Sequence, residues 1–263
     1  MPHWTPADIP WTQFDAARVD PRLLAIVKTA ALVEANAADY VTYLRAVFAD
    51  DAAFVADAET WGAEERQHGA VLARWATLAD PAFDFDAAMR VFQQGYRVPD
   101  SDGDSIRGSR AGELIARQVV ETGTSSFYSA LRDATDEPVL RAIAGRIAAD
   151  EYRHYRLFAG HARQQPRLGC LQAMGIAIGR FAETGDEELG WAWYAANIGA
   201  GPCDPHACSR IYGAETARLY GPGHIDSGVR MLLRAVGLAP RGAIFNMARL
   251  AMRAAIRQRA ATA

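Results

Sequence analysis

Glu65-Arg66-Gln67-His68 and Glu151-Tyr152-Arg153-His154 are the two stretches on which the reading of this chain turns. Both read E-x-x-H. On a helix, residues three apart share a face, so one carboxylate and one imidazole can address the same ion. With twelve Glu and six His in 263 positions, a single match of this kind carries little weight. The wider arrangement carries more. Glu34 precedes Glu65 by 31 residues and Glu121 precedes Glu151 by 30, so the chain twice reads Glu, about thirty residues, E-x-x-H. A step of that length covers about one helix, a turn and part of the next helix. Two helical hairpins with the same layout can aim all six side chains inward. One Glu from each of two helices and one E-x-x-H from each of the other two is the ligand layout of a two-metal carboxylate site.

The residue types suit that task. Carboxylates are hard, anionic and able to bridge two cations, and imidazole suits iron and other first-row metals. Four glutamates supply four negative charges, enough to neutralise two divalent ions. Without metal, the same carboxylates packed together would repel one another and lack partners. Any one of the six, taken alone, is as well explained by a surface charge or a satisfied core group. The six together are not.

Outward from these motifs the periodicity is helical. From Pro21 to Phe48 the residues Leu24, Val27, Ala31, Glu34, Ala38 and Val41 recur at three- and four-residue steps, with Asp20 as N-cap and Pro21 in the first turn. A second helix is expected over about 50–78, its inward stripe holding Phe54, Trp61, Glu65, His68, Leu72 and Trp75. A shorter one follows over about 85–96. A third long helix, over about 105–133, carries Glu121, and a fourth, over about 137–163, carries Ile147, Asp150, Glu151, His154 and Phe158. Beyond Pro166, helical pieces at about 168–184, 186–198 and 205–220 are separated by glycines, and a last helix covers about 241–259. No clean alternation of β-branched residues bounded by turns is present. The Asp-rich stretch 98–104 reads as a solvated turn, because its glycine comes too early for a calcium loop and no closing Glu follows. The expected fold is all-α: an irregular arm over 1–20, a four-helix bundle over 21–165, and additional C-terminal helices over 166–263 packed on the bundle.

Bulk properties narrow the function. Half of the residues are hydrophobic, so a sizeable core can form. The net charge of −3 and a pI of about 6.1 give none of the basic excess of a nucleic-acid binder. The start, Met1-Pro2-His3-Trp4, does not read as a signal peptide. The uncharged stretch Leu189 to Cys203 is too short to span a bilayer, so a cytoplasmic protein without a transmembrane segment is expected. Cys170, Cys203 and Cys208 are too few and unevenly spaced for a disulfide framework. Cys203 and Cys208, with His206 between them, read as plain thiols rather than as a zinc site.

Around the motifs the chain resembles a known family. Trp61-Gly62-Ala63-Glu64-Glu65-Arg66-Gln67-His68-Gly69 looks like the W-T-A-E-E-N-R-H-G segment of acyl-carrier-protein desaturases, with Gln67 standing where that family has arginine. Ile147-Ala148-Ala149-Asp150-Glu151-Tyr152-Arg153-His154 resembles their I-A-A-D-E-K-R-H, and Glu121-Thr122-Gly123-Thr124 resembles their E-R-A-T. Glu34, followed by Tyr40, sits where their first-helix glutamate would be. The resemblance covers about residues 30–160. It implies a ferritin-like fold, a non-haem di-iron centre and oxygen activation.

The expected site follows. Glu34, Glu65 and His68 hold one metal, and Glu121, Glu151 and His154 hold the other, with Glu65 and Glu151 bridging. Two iron ions are the expected cofactor, with manganese or a mixed manganese–iron pair as alternatives. Metal-bound histidines donate their second N–H to a carboxylate, and Asp150 is the candidate partner of His68, Glu64 that of His154. Thr124, one turn after Glu121, is the candidate catalytic hydroxyl; its alternative is an ordinary bond to its own i−4 carbonyl. Trp61, Trp75, Phe127, Tyr128 and Phe158 are ordinary core or the wall of an apolar channel. The stretch from Gly221 to the C-terminus holds seven Arg and one Asp, with Arg249, Arg253 and Arg257 in one stripe. It caps the bundle or docks an acidic carrier, a ferredoxin or an anionic membrane. The expected activity is oxygen-dependent desaturation or hydroxylation of an organic, small-molecule or carrier-bound substrate. An electron donor such as a ferredoxin and a homodimer are expected with it. The alternative is a ferritin- or rubrerythrin-like protein that handles iron or scavenges peroxide. The absence of C-x-x-C and about 100 residues beyond the bundle favour the enzyme.

Overall fold

The structure is a computed structural model and describes residues 3–97, 103–183 and 187–261. Among these there are eleven α-helices and no strand. In chain order they are α1 (Pro21–Ala35), α2 (Ala37–Val47), α3 (Ala52–Ala79), α4 (Phe85–Gly95), α5 (Arg110–Ala134) and α6 (Pro138–Ala162). Then follow α7 (Cys170–Ala182), α8 (Glu187–Asn197), α9 (Pro205–Ala217), α10 (Pro222–Ala235) and α11 (Gly242–Ala260). The turn expected at 98–104 lies for the most part outside the described residues.

Side chains written into the sequence start the helices. Asp20 accepts from the Arg22 amide ahead of Pro21, Asp51 caps α3, Ser109 caps α5 and Glu137 caps α6, each satisfying an amide that the first turn leaves without a partner. Glu137 does more than cap. Fully buried, it also accepts from the Trp75 indole at 2.7 Å, tying the end of α3 to the start of α6.

Three expectations are corrected. The single helix from Pro21 to Phe48 is two, broken at Asn36, whose amide turns back to Val33 at 3.1 Å. The break adjoins the closest approach of α3. A Cβ on Gly69 would lie 2.6 Å from the Ala35 nitrogen, so the two backbones touch there. The third long helix begins at Arg110 rather than 105, because Gly108 takes a left-handed φ of 75° and Ser109 then caps. A helix not foreseen, α10, opens with Pro222 and buries Ile225, Val229 and Leu233 at helical spacing.

The arm over 3–20 is three single 3-10 turns laid on the helices, with Ile9 buried and the Arg74 guanidinium 4.0 Å from the Trp11 ring. Helix α5 packs on α6, α1 and α2 on α3, and α3 on α6. Helices α7 and α10 pack on α5, α8 on α1, α4 and α9, and α11 on α9 and α10. No helix among the described residues is long and apolar enough to cross a membrane.

Two apolar clusters frame the interior. One holds Val27, Ala31, Leu72, Trp75, Tyr128, Leu131, Ile143 and Ile147; the other holds Val41, Phe54, Trp61, Leu114 and Phe158. Along α3 the chain passes from Trp61 in one cluster to Leu72 in the other, and Glu65 and His68 fall between. Along α6 it passes from Ile147 to Phe158, with Glu151 and His154 between. Glu121 of α5 lies between Leu114 and Tyr128, and Glu34 of α1 lies between Ala31 and Val41. Carboxylates held at one level between two apolar clusters have few water molecules to satisfy them.

Candidate metal centre

The six residues singled out by spacing converge. Two groups of four have ligand atoms all within 4.8 Å of one another: Glu34, Glu65, His68 and Glu151, and Glu65, Glu121, Glu151 and His154. Every member is buried, and Glu65 and Glu151 belong to both groups. Among the described residues no other set of three or more His, Cys, Asp or Glu meets this geometry. Cys203 and Cys208 are free thiols outside it.

The cluster contains atoms that nothing in the protein satisfies. His68 Nδ1, His154 Nδ1, Glu121 Oε2 and Glu151 Oε1 are buried and without a hydrogen-bond partner. His68 Nδ1 lies 3.2 Å from Glu151 Oε1 and His154 Nδ1 lies 3.0 Å from Glu65 Oε1, but neither pair is aligned as a hydrogen bond. One such orphan costs about 1–3 kcal/mol. Four such atoms, all of ligand type and spread over the two groups, fit metal ions that take them as partners.

The remaining polar atoms are held from behind. Asp150 Oδ2 lies 3.1 Å from His68 Nε2, and Glu64 Oε2 lies 2.6 Å from His154 Nε2. Each imidazole is thus anchored through Nε2 and directs Nδ1 at the cluster. Arg153 donates to both anchoring carboxylates, at 3.0 Å to Asp150 and 2.8 Å to Glu64. Thr124 Oγ1 donates to Glu151 Oε2 at 2.5 Å, well inside its 3.3 Å distances to the Val120 and Glu121 carbonyls. The ordinary i−4 bond is therefore the weaker of its contacts.

Protonation follows from this crowding. Burial, then the charges of Glu151 and Glu34, push the Glu65 carboxyl well above the carboxylate range. Burial pushes Glu121 up to about 8, against the pull of His154. Burial disfavours the imidazolium of His68, but the facing carboxylates of Asp150, Glu151 and Glu34 outweigh it and raise its pKa well above the ordinary histidine value. His154 is raised in the same way by Glu121, Glu64 and Glu65. For Glu34, burial is outweighed by His68, so its carboxyl is held below the usual value. Protons held in this way relieve the repulsion between the crowded carboxylates.

Three contributors were not foreseen. Trp4 donates its indole N–H to Asp150 Oδ2 at 2.7 Å and stacks on His68, ring centroids 6.0 Å apart and planes 6° from parallel. Gln67, the departure within the first motif, holds the Trp4 carbonyl at 3.1 Å. Tyr128 donates to Glu34 Oε1 at 2.5 Å. Trp4 lies 146 residues from Asp150 in an aperiodic arm, so no local pattern marks it. Tyr128 had a signal, since it lies seven residues after Glu121 on the same face of α5.

On one side the cluster opens on an apolar cavity of about 310 Å³. Glu34, Glu65 and Thr124 lie on its cluster side, Trp61, Phe127 and Tyr128 border it, and Val229, Met252 and Ile256 flank it from α10 and α11; Arg117, Arg180, Glu188, His224 and Arg259 also line it. Trp75 and Phe158 are not part of this wall; they are fully buried core. A Cβ on Gly123 would meet nothing within 4 Å, so the missing side chain there leaves room beside the cluster. The arginine stripe of α11 is partly spoken for: Arg249 and Arg253 face Asp226 of α10 at 3.8 and 3.0 Å, Ile256 is turned inward, and Met247 and Leu250 are exposed.

Scanned against models of known protein families the chain matches none, and a search of curated proteins gives no significant match.

Proposed function

We propose that the protein is an oxygen-dependent non-haem di-iron oxidoreductase of ferritin-like fold. Helices α1 and α2, α3, α5 and α6 form its four-helix bundle, and it desaturates or hydroxylates an apolar organic substrate. The observation that carries this reading is a buried cluster of orphaned carboxylate and imidazole atoms bordering a largely apolar cavity. Glu34, Glu65 and His68 would hold one ion and Glu121, Glu151 and His154 the other. Glu65 and Glu151, shared by both groups, have the placement a bridging carboxylate needs. When bound, such a pair supplies electrons and Lewis acidity for activating dioxygen.

The protein's own residues supply the rest. The apolar wall excludes water and positions a substrate carbon beside Glu34, Glu65 and Thr124. Thr124 places a hydroxyl proton at the boundary between cluster and cavity, anchored on Glu151 Oε2. Tyr128 and Asp150 fix Glu34 and His68, so ligand geometry is set before substrate arrives. The cavity favours this reading over iron storage, because most of the surface it offers is apolar and does little for a ferrous ion. Its aliphatic and aromatic lining supports a hydrocarbon-like substrate, an acyl chain among them.

The test is oxygen consumption by iron-loaded, chemically reduced protein presented with a panel of free and carrier-bound acyl chains, products read by mass spectrometry. Consumption matched by loss of two hydrogens or gain of one oxygen supports the reading. Iron oxidation that no substrate alters, accompanied by mineral formation, would replace it with the iron-handling alternative.

A further inference from the structure

Helix α7 is the least polar helix at the surface, with Arg180 its only charge. It packs on α5 through Ala173, Ile176 and Ala177. Its opposite face, Leu171, Gly175 and Ile178 at helical spacing, is bare: Leu171 is 84% exposed and Ile178 65%. Nothing lies within 4 Å of where a Cβ on Gly175 or Gly179 would be. Aliphatic side chains this exposed on one face mark a surface that something else covers.

Each end of α7 borders a different feature. At its N-terminal end is a surface groove of about 1080 Å³ that Cys170 and Ala173 help to line. Five arginines, Arg153, Arg156, Arg163, Arg167 and Arg234, line this groove, and no Asp or Glu does. Arg153 is held by Glu64 and Asp150; the other four are exposed and have no carboxylate partner among the described residues. At its C-terminal end Arg180 and Phe181 line the apolar cavity beside the metal cluster. The thirteen residues between span about 20 Å.

We propose that α7 and the arginine groove form a docking face for an anionic phospholipid bilayer. The arginines take lipid phosphates and the bare face of α7 enters the acyl boundary. An apolar substrate then passes from the membrane along α7 into the cavity, a last step that rests on the enzymatic reading above. Charge complementarity selects the occupant: an acid-free arginine groove beside exposed aliphatic residues matches a surface with anionic headgroups above hydrocarbon. The protein lies on the membrane rather than across it, in keeping with the lack of a spanning helix among the described residues.

Co-sedimentation of the full chain with vesicles tests this. The protein should pellet with phosphatidylcholine vesicles that contain phosphatidylglycerol and stay in solution with phosphatidylcholine alone. Leu171→Asp with Ile178→Asp, and separately Arg163→Glu with Arg167→Glu, should each lower binding by at least about tenfold. Arg22→Glu, on a remote exposed arginine, should leave it unchanged. All these residues lie outside the metal cluster, so metal content should stay at the wild-type level in every variant. Failure to pellet with anionic vesicles overturns the proposal and leaves the metal reading intact. So does wild-type binding by both double variants. So does a wild-type dimer that Leu171→Asp with Ile178→Asp dissociates, with no vesicle binding, since a second copy would then cover the face. Vesicle binding by protein that takes up no metal would keep the docking face and remove the enzyme.

Discussion

Replacing Asp150 by alanine probes the support of the site without touching a candidate ligand. Its carboxylate accepts from His68 Nε2 at 3.1 Å, from the Trp4 indole at 2.7 Å and from Arg153 at 3.0 Å. Alanine leaves the buried His68 Nε2 without an acceptor and frees its ring to rotate away from Glu34, Glu65 and Glu151. Loss of a carboxylate behind a metal-bound histidine weakens affinity by about 10- to 100-fold, or about 1.4–2.8 kcal/mol. Only the His68 half of the cluster depends on Asp150, because His154 is anchored by Glu64. Competitive ferrous titration under anaerobic conditions should therefore show one weakened and one unchanged site. Asp150→Asn, whose amide oxygen still accepts one bond, should fall between alanine and wild type. Two unchanged sites in Asp150→Ala would refute the reasoning and reduce this carboxylate to a tie between the N-terminal arm and α6.

Further outcomes follow from the same geometry. Thr124→Val should keep both metals while product formed per oxygen consumed falls, on the order of tenfold or more if the hydroxyl moves a proton. Gly123→Ala should raise stability by about 1 kcal/mol, since its Cβ meets nothing; Gly123→Leu should remain folded and metal-loaded but lose substrate oxidation, as a product assay would show. Trp4→Ala removes a donor to Asp150 and the ring stacked on His68, and should accelerate metal loss to a chelator without altering the helix content seen by circular dichroism. Stability should depend on pH in opposite senses with and without metal. In the metal-free protein Glu65 and Glu121 have raised values, Glu121 to about 8, and His68 and His154 are raised as well. The folded state then binds more protons than the unfolded chain, so calorimetry should show the melting temperature falling as pH rises from about 5 through 8. Metal displaces those protons, so binding should tighten over the same range and release protons into a weakly buffered solution.

Much of this architecture could be read from local pattern, because helix starts and inward stripes are local properties. Asp20 with Pro21 marks a start by capping chemistry alone, and Glu65 with His68 share a face by helical geometry alone. The convergence of Glu34 and Glu121 on the same point needed the thirty-residue repeat, which reports the length of a helical hairpin. What local pattern could not reveal depends on partners distant in sequence. The break at Asn36 sits where Gly69 of another helix touches Ala35. The roles of Trp4 and Gln67 exist only because the arm folds back across α3 and α6. Helix α10 was hidden by its glycines and arginines, and its Ile225, Val229 and Leu233 stripe is decided by packing against α5 and α11.

The most direct test of the central claim is metal stoichiometry by elemental analysis after anaerobic ferrous loading and desalting, on the wild type and on Glu65→Ala with Glu151→Ala. The account predicts about two iron ions per chain in the wild type. It predicts near-complete loss in the double variant, whose helix content is retained, because both altered residues belong to both ligand groups. Wild-type protein that takes up no iron, or a double variant that holds as much as the wild type, would contradict it.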